Sequence, residues 1–326
     1  MTTVDLDDLL DRAHVVALPM RVRFRGITVR EALLIDGPRG WGEFSAFTEY
    51  GPREAGRWLA AGIEAAYRGL PAPQAAAVPV NATIPAIPAE DVADLLDRYP
   101  GIATVKVKVA EAGQDLAQDV ARVAAVRAAR PEARIRVDAN RGWSVPEALR
   151  AAAELAALGN LEYLEQPCPT AEDLAELTAR IRAAGIPAQV AADESIRKAS
   201  DPYRVAELQA AEVAVLKVAP LGGVRNVATI AGHLAQRGMS VTVASALDTA
   251  VGMHGGAIAA SISSEYAAGL ATGTLFERDV ADLAVQDGML STEPVVPDAS
   301  RLSELAAPAR RRGWWLDRVR ACWPTI

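Results

Sequence analysis

A ladder of charged residues marks the ends of short apolar runs, and it recurs at the length of one strand-plus-helix unit. It begins with Lys106 and Lys108 and continues with Asp138 in R-I-R-V-D-A-N, Glu165 in L-E-Y-L-E-Q-P, Asp193 in Q-V-A-A-D-E-S and Lys217 in E-V-A-V-L-K-V-A-P. From Lys108 the successive steps are 30, 27, 28 and 24 residues. A parallel β/α barrel gathers the ends of all its strands around one mouth, so residues far apart in the chain meet there. Three carboxylates with lysines on either side then describe a divalent-metal site flanked by acid/base groups.

The rhythm of the chain fits that fold. From Val80 it alternates strand and helix, with strands expected at Val80–Ile84, Thr104–Val109, Ile135–Asp138, Tyr163–Glu165, Gln189–Ala192, Val213–Val218, Ser240–Ala244 and Leu270–Leu275. Ala-, Leu- and Arg-rich helices are expected between them at Asp115–Arg130, Pro146–Leu158, Glu172–Ala184 and Val224–Gln236. A parallel return needs a crossover, so this alternation predicts a parallel sheet. The first eighty residues read differently. R-V-R-F-R at Arg21–Arg25, then Ile27–Leu34 and Trp41–Phe44, look like an antiparallel sheet with a turn at D-G-P-R-G. An amphipathic helix follows over Arg53–Arg68, and Pro71–Pro79 reads as a linker. The expected fold class is therefore α/β: a modified TIM-type (β/α) barrel of seven to eight units over residues 80–284, with an α+β capping domain over 1–79. The segment 285–326, with Trp314, Trp315 and Trp323, is expected to pack back on the cap.

Side chains alternate along a strand, so Lys106 and Lys108 share one face while Val105, Val107 and Val109 take the other. Ammonium groups aimed into a barrel need carboxylates or water to receive them. Asp138, Glu165 and Asp193 are hard oxygen ligands suited to Mg²⁺, with Mn²⁺ as the alternative. Such an ion stabilises the charge formed when a proton is removed beside a carboxylate. A lysine acts as a base only in its neutral form, which burial or a neighbouring cation favours. Lys106 supplies that cation to Lys108, and Lys217 sits in an otherwise apolar strand. Asn140 and Glu194 are placed to orient ligands. Gly222 and Gly223 open a helix whose N–H groups could take a substrate carboxylate, or simply form a tight turn. Ser245 and Asp248 end the seventh strand and are candidates for the pocket wall. Taken singly, each of these residues has a bland reading as a capping, surface or snorkelling side chain. Three acids on consecutive strands, facing lysines, favour the catalytic one.

Composition closes other classes. The 326-residue chain carries a formal charge of −7 and no basic stripe of the kind a nucleic-acid protein presents. Two cysteines, Cys168 and Cys322, make neither a disulfide framework nor a zinc motif, although Cys168 lies close to a proposed ligand. The acidic N-terminus lacks the layout of a signal peptide, and Asp248 and His254 interrupt the charge-poor run Ser240–Ser264. A cytoplasmic enzyme acting on a small carboxylate, with no nucleic-acid or membrane partner, is expected. The outer faces of the helices set no oligomeric state.

The motifs K-V-K, V-D-A-N, L-E-Q-P, A-D-E-S and L-K-V-A-P, in that order, together with R-G-I-T-V-R-E-A-L-L-I and G-W-G-E-F-S-A-F near the N-terminus, resemble the enolase superfamily and its muconate-lactonising subgroup over nearly the whole chain. The resemblance implies that Asp138, Glu165 and Asp193 ligate Mg²⁺, that Lys106 and Lys108 form the K-x-K pair, and that Lys217 is the opposing lysine. Dipeptide epimerases of the subgroup carry D-x-D after the eighth strand, where this chain has L-A-T-G-T-L-F-E-R-D. The histidines, His14, His233 and His254, do not sit where mandelate-racemase-like members keep a base. The short chain, the compact cap and A-L-P-M-R-V-R-F-R are similar to the bacterial o-succinylbenzoate synthases, especially actinobacterial ones. That likeness implies syn dehydration of 2-succinyl-6-hydroxy-2,4-cyclohexadiene-1-carboxylate in menaquinone synthesis. Lys108 would serve as base and then acid, through an enediolate, with cap segments near Met20–Gly26 and Phe47–Gly51 closing the pocket. N-succinylamino acid racemisation, muconate-type cycloisomerisation and a non-catalytic ligand-binding barrel remain as alternatives.

Overall fold

The computed structural model of the protein describes residues 4–24, 26–197 and 201–326, so Arg25 of the expected first strand lies outside the described residues. The chain opens with α1 (Leu6–Asp11), then β1 (Ala13–Phe24), β2 (Ile27–Gly37) and β3 (Gly40–Phe44), which form an antiparallel sheet in the order β1-β2-β3. Pro38 and Arg39 make the two-residue turn between Gly37 and Gly40. Next comes α2 (Pro52–Ile63), and the expected single helix to Arg68 ends instead in a wider π turn over Glu64–Arg68. Helix and sheet lie close because glycines face each other. A Cβ on Gly42 would stand 2.0 Å from the Gly62 carbonyl oxygen, so no larger residue fits without moving backbone. Leu33, Ile35, Phe44, Trp58 and Leu59 fill the cap core.

The expected linker is partly ordered as β4 (Ala77–Pro79). The barrel then runs β5 (Asn81–Ile84), α3 (Val92–Leu96), β6 (Thr104–Lys108), α4 (Leu116–Ala129), β7 (Arg134–Asp138), α5 (Val145–Ala156), β8 (Leu161–Glu165), α6 (Ala171–Ala183), β9 (Gln189–Ala192), α7 (Asp201–Glu207), β10 (Val213–Leu216), α8 (Val224–Ala235), β11 (Ser240–Val243) and α9 (Ala250–Ser263). The seven strands are parallel and neighbours in chain order. The helices start where the sequence writes their caps: Asp115 with Gln118, Ser144 with Glu147, and Thr170 with Asp173 each satisfy orphan N–H groups reciprocally. Valines and leucines on the outer strand faces pack against the helices in one continuous core.

The eighth unit differs from expectation. Leu270–Leu275 is not a strand, and Thr272–Leu275 forms a 3₁₀ turn. Closure is made two residues earlier, where Ala268 bridges Val80 and Gly269 bridges Ala244. A two-residue strand leaves no alternating apolar pattern to read.

Beyond the barrel lie β12 (Val285–Gln286), β13 (Met289–Ser291), α10 (Ala299–Glu304) and α11 (Ala309–Cys322). The start of the tail, β13, pairs with β4 of the expected linker. The remainder does reach the cap. Ala306 bridges Val16, Trp315 and Val319 enter the cap core, and Arg311 and Trp315 Nε1 donate to Glu31. Arg318 donates to the carbonyls of Phe47 and Tyr50 at 2.7 and 2.9 Å, so the last helix holds a cap loop over the barrel mouth.

Candidate active site

The strand ends carry the ladder into one cavity of about 1930 Å³ between barrel and cap. Lys106, Lys108, Asp138, Glu165, Asp193 and Lys217 all line it. The alternation along β6 holds: Val105 and Val107 are buried among the helices, while both lysines reach the cavity. Parallel register sets Lys108 beside Asp138 and Asp138 beside Glu165, and Asp193 and Lys217 follow directly on β9 and β10. Two residues earlier on the same inner faces, Arg136, Tyr163, Ala191 and Val215 form the floor. Arg136 is buried there, paired with Glu162 at 2.6 Å and lying over the Tyr163 ring.

Lysines and carboxylates interlock. Lys106 Nζ lies 2.9 Å from Glu165 and 3.1 Å from Asp138. Lys108 Nζ donates to Asp138 at 2.6 Å and to Asn140 Oδ1 at 2.7 Å, and Lys217 pairs with Asp193. Burial works against charge on Lys106, but Glu165 and Asp138 outweigh it and hold the ammonium well above its ordinary pKa. Asp138 is lowered, because Lys106 and Lys108 overcome its burial. Asp193 is lowered in the same way by Lys217 and Arg197. Glu165 goes the other way. Burial, with Asp138 and then Asp193 repelling it, pushes it up to about 7 against the pull of Lys106.

That imbalance bears on a metal. Among the described residues no three Asp, Glu, His or Cys side chains converge as a ready-made cage. The carboxylate oxygens turn instead onto lysines. The donor set nevertheless fits a hard divalent ion: three buried carboxylates on consecutive strands repel one another, and the middle one is short of positive charge. Asp138, Glu165 and Asp193 would hold such an ion.

The neighbours fall into place unevenly. Asn140, in a left-handed conformation, accepts from Lys108 and donates to Glu194 at 3.2 Å, as an orienting pair requires. Ser245 lines the cavity and accepts from the Leu247 N–H and from Thr272. Two expectations fail. Gly222 and Gly223 are not on the cavity wall. The start of α8 is already occupied by Glu64 of the cap, which takes the Arg225 N–H at 3.2 Å and the Arg225 guanidinium at 2.7 Å. Gly223 is needed for close approach, since its Cβ would meet Glu64 Oε2 at 2.0 Å. Asp248 is also absent from the wall: it is buried, accepts from the Ala246 N–H, and faces Glu43.

One contributor escaped the sequence reading. Gln166 is fully buried directly after Glu165. Its Oε1 accepts from the N–H groups of Asp193 and Ser195, both at 3.0 Å, and its Nε2 donates to Ser195 Oγ and the Cys168 carbonyl. It ties the ends of β8 and β9 together and so spaces two of the carboxylates. The only available signal was its place beside Glu165 in L-E-Q-P. Cys168 is inert by contrast, buried with its thiol pushed up to about 12. None of the three histidines lines the cavity.

Known proteins resemble this chain over most of its length. Residues 89–303 match the family described as enolase C-terminal domain-like, and residues 15–66 the one described as enolase N-terminal domain-like. The o-succinylbenzoate synthase of Mycolicibacterium smegmatis is 59% identical, over 97% of this chain and 97% of its own length. That of Mycobacterium tuberculosis is 55% identical, over 98% and 96% respectively. Among solved structures, muconate lactonizing enzyme from Pseudomonas fluorescens aligns with a TM-score of 0.76 at 22% identity, covering 91% of this chain and 98% of that one, a likeness of fold.

Proposed function

This chain belongs to the enolase superfamily, whose members generally depend on a divalent metal ion, and on that premise we propose that it is a lyase of the o-succinylbenzoate synthase type. The substrate is 2-succinyl-6-hydroxy-2,4-cyclohexadiene-1-carboxylate, the product is 2-succinylbenzoate, and the metal is Mg²⁺. The observation that carries the reading is the pair Lys108 and Lys217 on β6 and just beyond β10, on either side of the three carboxylates in one cavity. Asp138, Glu165 and Asp193 would hold the ion, which would supply positive charge against a substrate carboxylate whose α-proton is to be removed.

The protein's own groups do the rest. Lys108 Nζ takes the proton α to the ring carboxylate and then returns it to the departing hydroxyl, so one group serves both steps and the elimination is syn. Asn140, bonded to Lys108 and to Glu194, fixes the lysine's direction. Lys217 presents a second positive charge from the opposite wall as negative charge gathers on the substrate. The ring becomes aromatic, which draws the step forward. Among the described residues no helix is long and apolar enough to cross a membrane, and the substrate is a small molecule met within the cavity.

The test is direct. Turnover of the diene, followed by ultraviolet absorbance, should be fast with Mg²⁺ and abolished by a chelator. A folded, Mg²⁺-loaded protein that leaves the diene intact would overturn the assignment and send the search to N-succinylamino acids and muconate lactones.

A further inference from the structure

The cavity is far more basic than the chain. Ten basic side chains, seven of them arginines, line it against five carboxylates, in a protein whose formal charge is −7. Lysines and a divalent ion account for one substrate carboxylate. They do not account for the arginines.

Most of those arginines are already engaged. Arg21 donates to the Phe276 and Glu277 carbonyls, Arg23 to that of Gly26, and Arg141 and Arg197 to Glu194. Arg53 and Arg57 are different. They stand one turn apart on α2, both reach the cavity, and neither guanidinium has a hydrogen-bond or ion-pair partner among the described residues. The spacing puts them on one helix face, while Ala55 and Leu59 bury the other in the cap. An aromatic shelf leads to them: Phe47, Tyr50 and Trp58 pack edge to face or tilted and line the same cavity. Arg98 is the third unpartnered arginine, but it stands singly beyond α3.

We propose that Arg53 and Arg57 form the subsite for the distal carboxylate of a dicarboxylate ligand, here the end of the succinyl chain. The inference rests on the synthase reading given above. The aromatic shelf takes the methylenes and the paired guanidiniums take the charge. Two forked donors matching one planar carboxylate give direction as well as attraction. Substrate length is thereby measured from the metal to the cap, and the residues that measure it lie outside the catalytic ladder.

The experiment compares two ligands by calorimetry on the whole protein with Mg²⁺: 2-succinylbenzoate, and 2-butanoylbenzoate, in which a methyl group replaces the distal carboxylate. The unaltered protein should prefer 2-succinylbenzoate by roughly 10- to 100-fold, the range of a charge-assisted pair. Arg53→Gln with Arg57→Gln should erase that preference while binding 2-butanoylbenzoate at unchanged affinity, which also shows that the variant is folded. In turnover the same variant should raise KM for the diene with little change in kcat. A double variant that keeps the full preference overturns the proposal, as does an unaltered protein that does not distinguish the ligands. Loss of the preference in Arg98→Gln instead would move the subsite to the α3 side and overturn it too. Failure of the unaltered protein to turn over the diene is a separate result, and it removes the synthase reading itself.

Discussion

At the scale of single residues, the two lysines carry the same charge but different duties. Lys108 must give and take a proton; Lys217 need only be positive. Lys108→Ala should therefore lower kcat by about a thousandfold, the scale of a lost general base, with the fold intact by circular dichroism. Lys217→Ala should also be slow, but Lys217→Arg should recover roughly tenfold over it, because a guanidinium keeps the charge although it cannot serve as a base at neutral pH. If Lys217→Arg is no better than Lys217→Ala, the lysine transfers protons. The enzyme would then be built for racemisation, which needs a base on each face of the substrate.

At the scale of elements, the joint between cap and barrel is a buried acid at a helix start. Glu43 on β3 accepts from the Thr249 and Gly252 N–H groups, each at 3.0 Å, at the first turn of α9. Arg30 on β2 donates to the Leu247 carbonyl at 2.9 Å and to that of Ser45 at 2.6 Å. Burial and the facing Asp248 push Glu43 up to about 7 from its ordinary 4.5. The folded protein thus holds this proton more tightly than the unfolded chain does. Its contribution to stability is complete below about pH 4.5 and is lost as pH rises through 7. Asp279, pushed up to about 6 by burial at the same helix start, adds a slope of the same sign. Glu43→Gln cannot titrate, so its urea midpoint should fall less between pH 5 and 7 than that of the unaltered protein. An equal fall in both would mean that the donors of α9 keep Glu43 ionised throughout.

These elements also mark what the sequence could and could not disclose. Strands that end at Lys108, Asp138 and Glu165, and the one that Asp193 follows, were legible because a charge closing an apolar run is a local pattern. Helix starts were legible to within a residue from the Ala-, Leu- and Arg-rich runs opening at Asp115, Pro146, Glu172 and Val224. The closure at Ala268–Gly269 was not, since two residues carry no period. Nor was the fate of Gly222 and Gly223. A free helix N-terminus is a property of the chain nearby, but Glu64 arrives from 161 residues away to fill it. Arg30, Glu43 and Gln166 were missed likewise, because their partners lie on other elements.

At the scale of the molecule, cap and barrel are bound tightly enough to respond as one body. Glu43 and Glu64 of the cap each sit on a barrel helix, and α11 returns from the far end of the chain to pack on α2 and hold the Phe47–Tyr50 loop. The three carboxylates lie at the centre of that body. A ligand that binds only the folded state stabilises it by mass action, by about 2.7 kcal/mol at a hundredfold excess over Kd. For a chain of this size that corresponds to a rise in Tm of about 4 °C. Saturating Mg²⁺ should move a single unfolding transition by that order, seen alike by tryptophan fluorescence, which reports mainly the cap and α11, and by far-ultraviolet dichroism, which is dominated by the barrel. A chelator should reverse it. Asp193→Asn should remove the shift and the activity together, since it takes one of three oxygen ligands and leaves Lys217 without its partner. Should Mg²⁺ raise the dichroism transition while the fluorescence transition stays where it was, the cap melts independently of the barrel. The Glu43 and Glu64 contacts would then be too weak to couple the cap to a metal site beneath it.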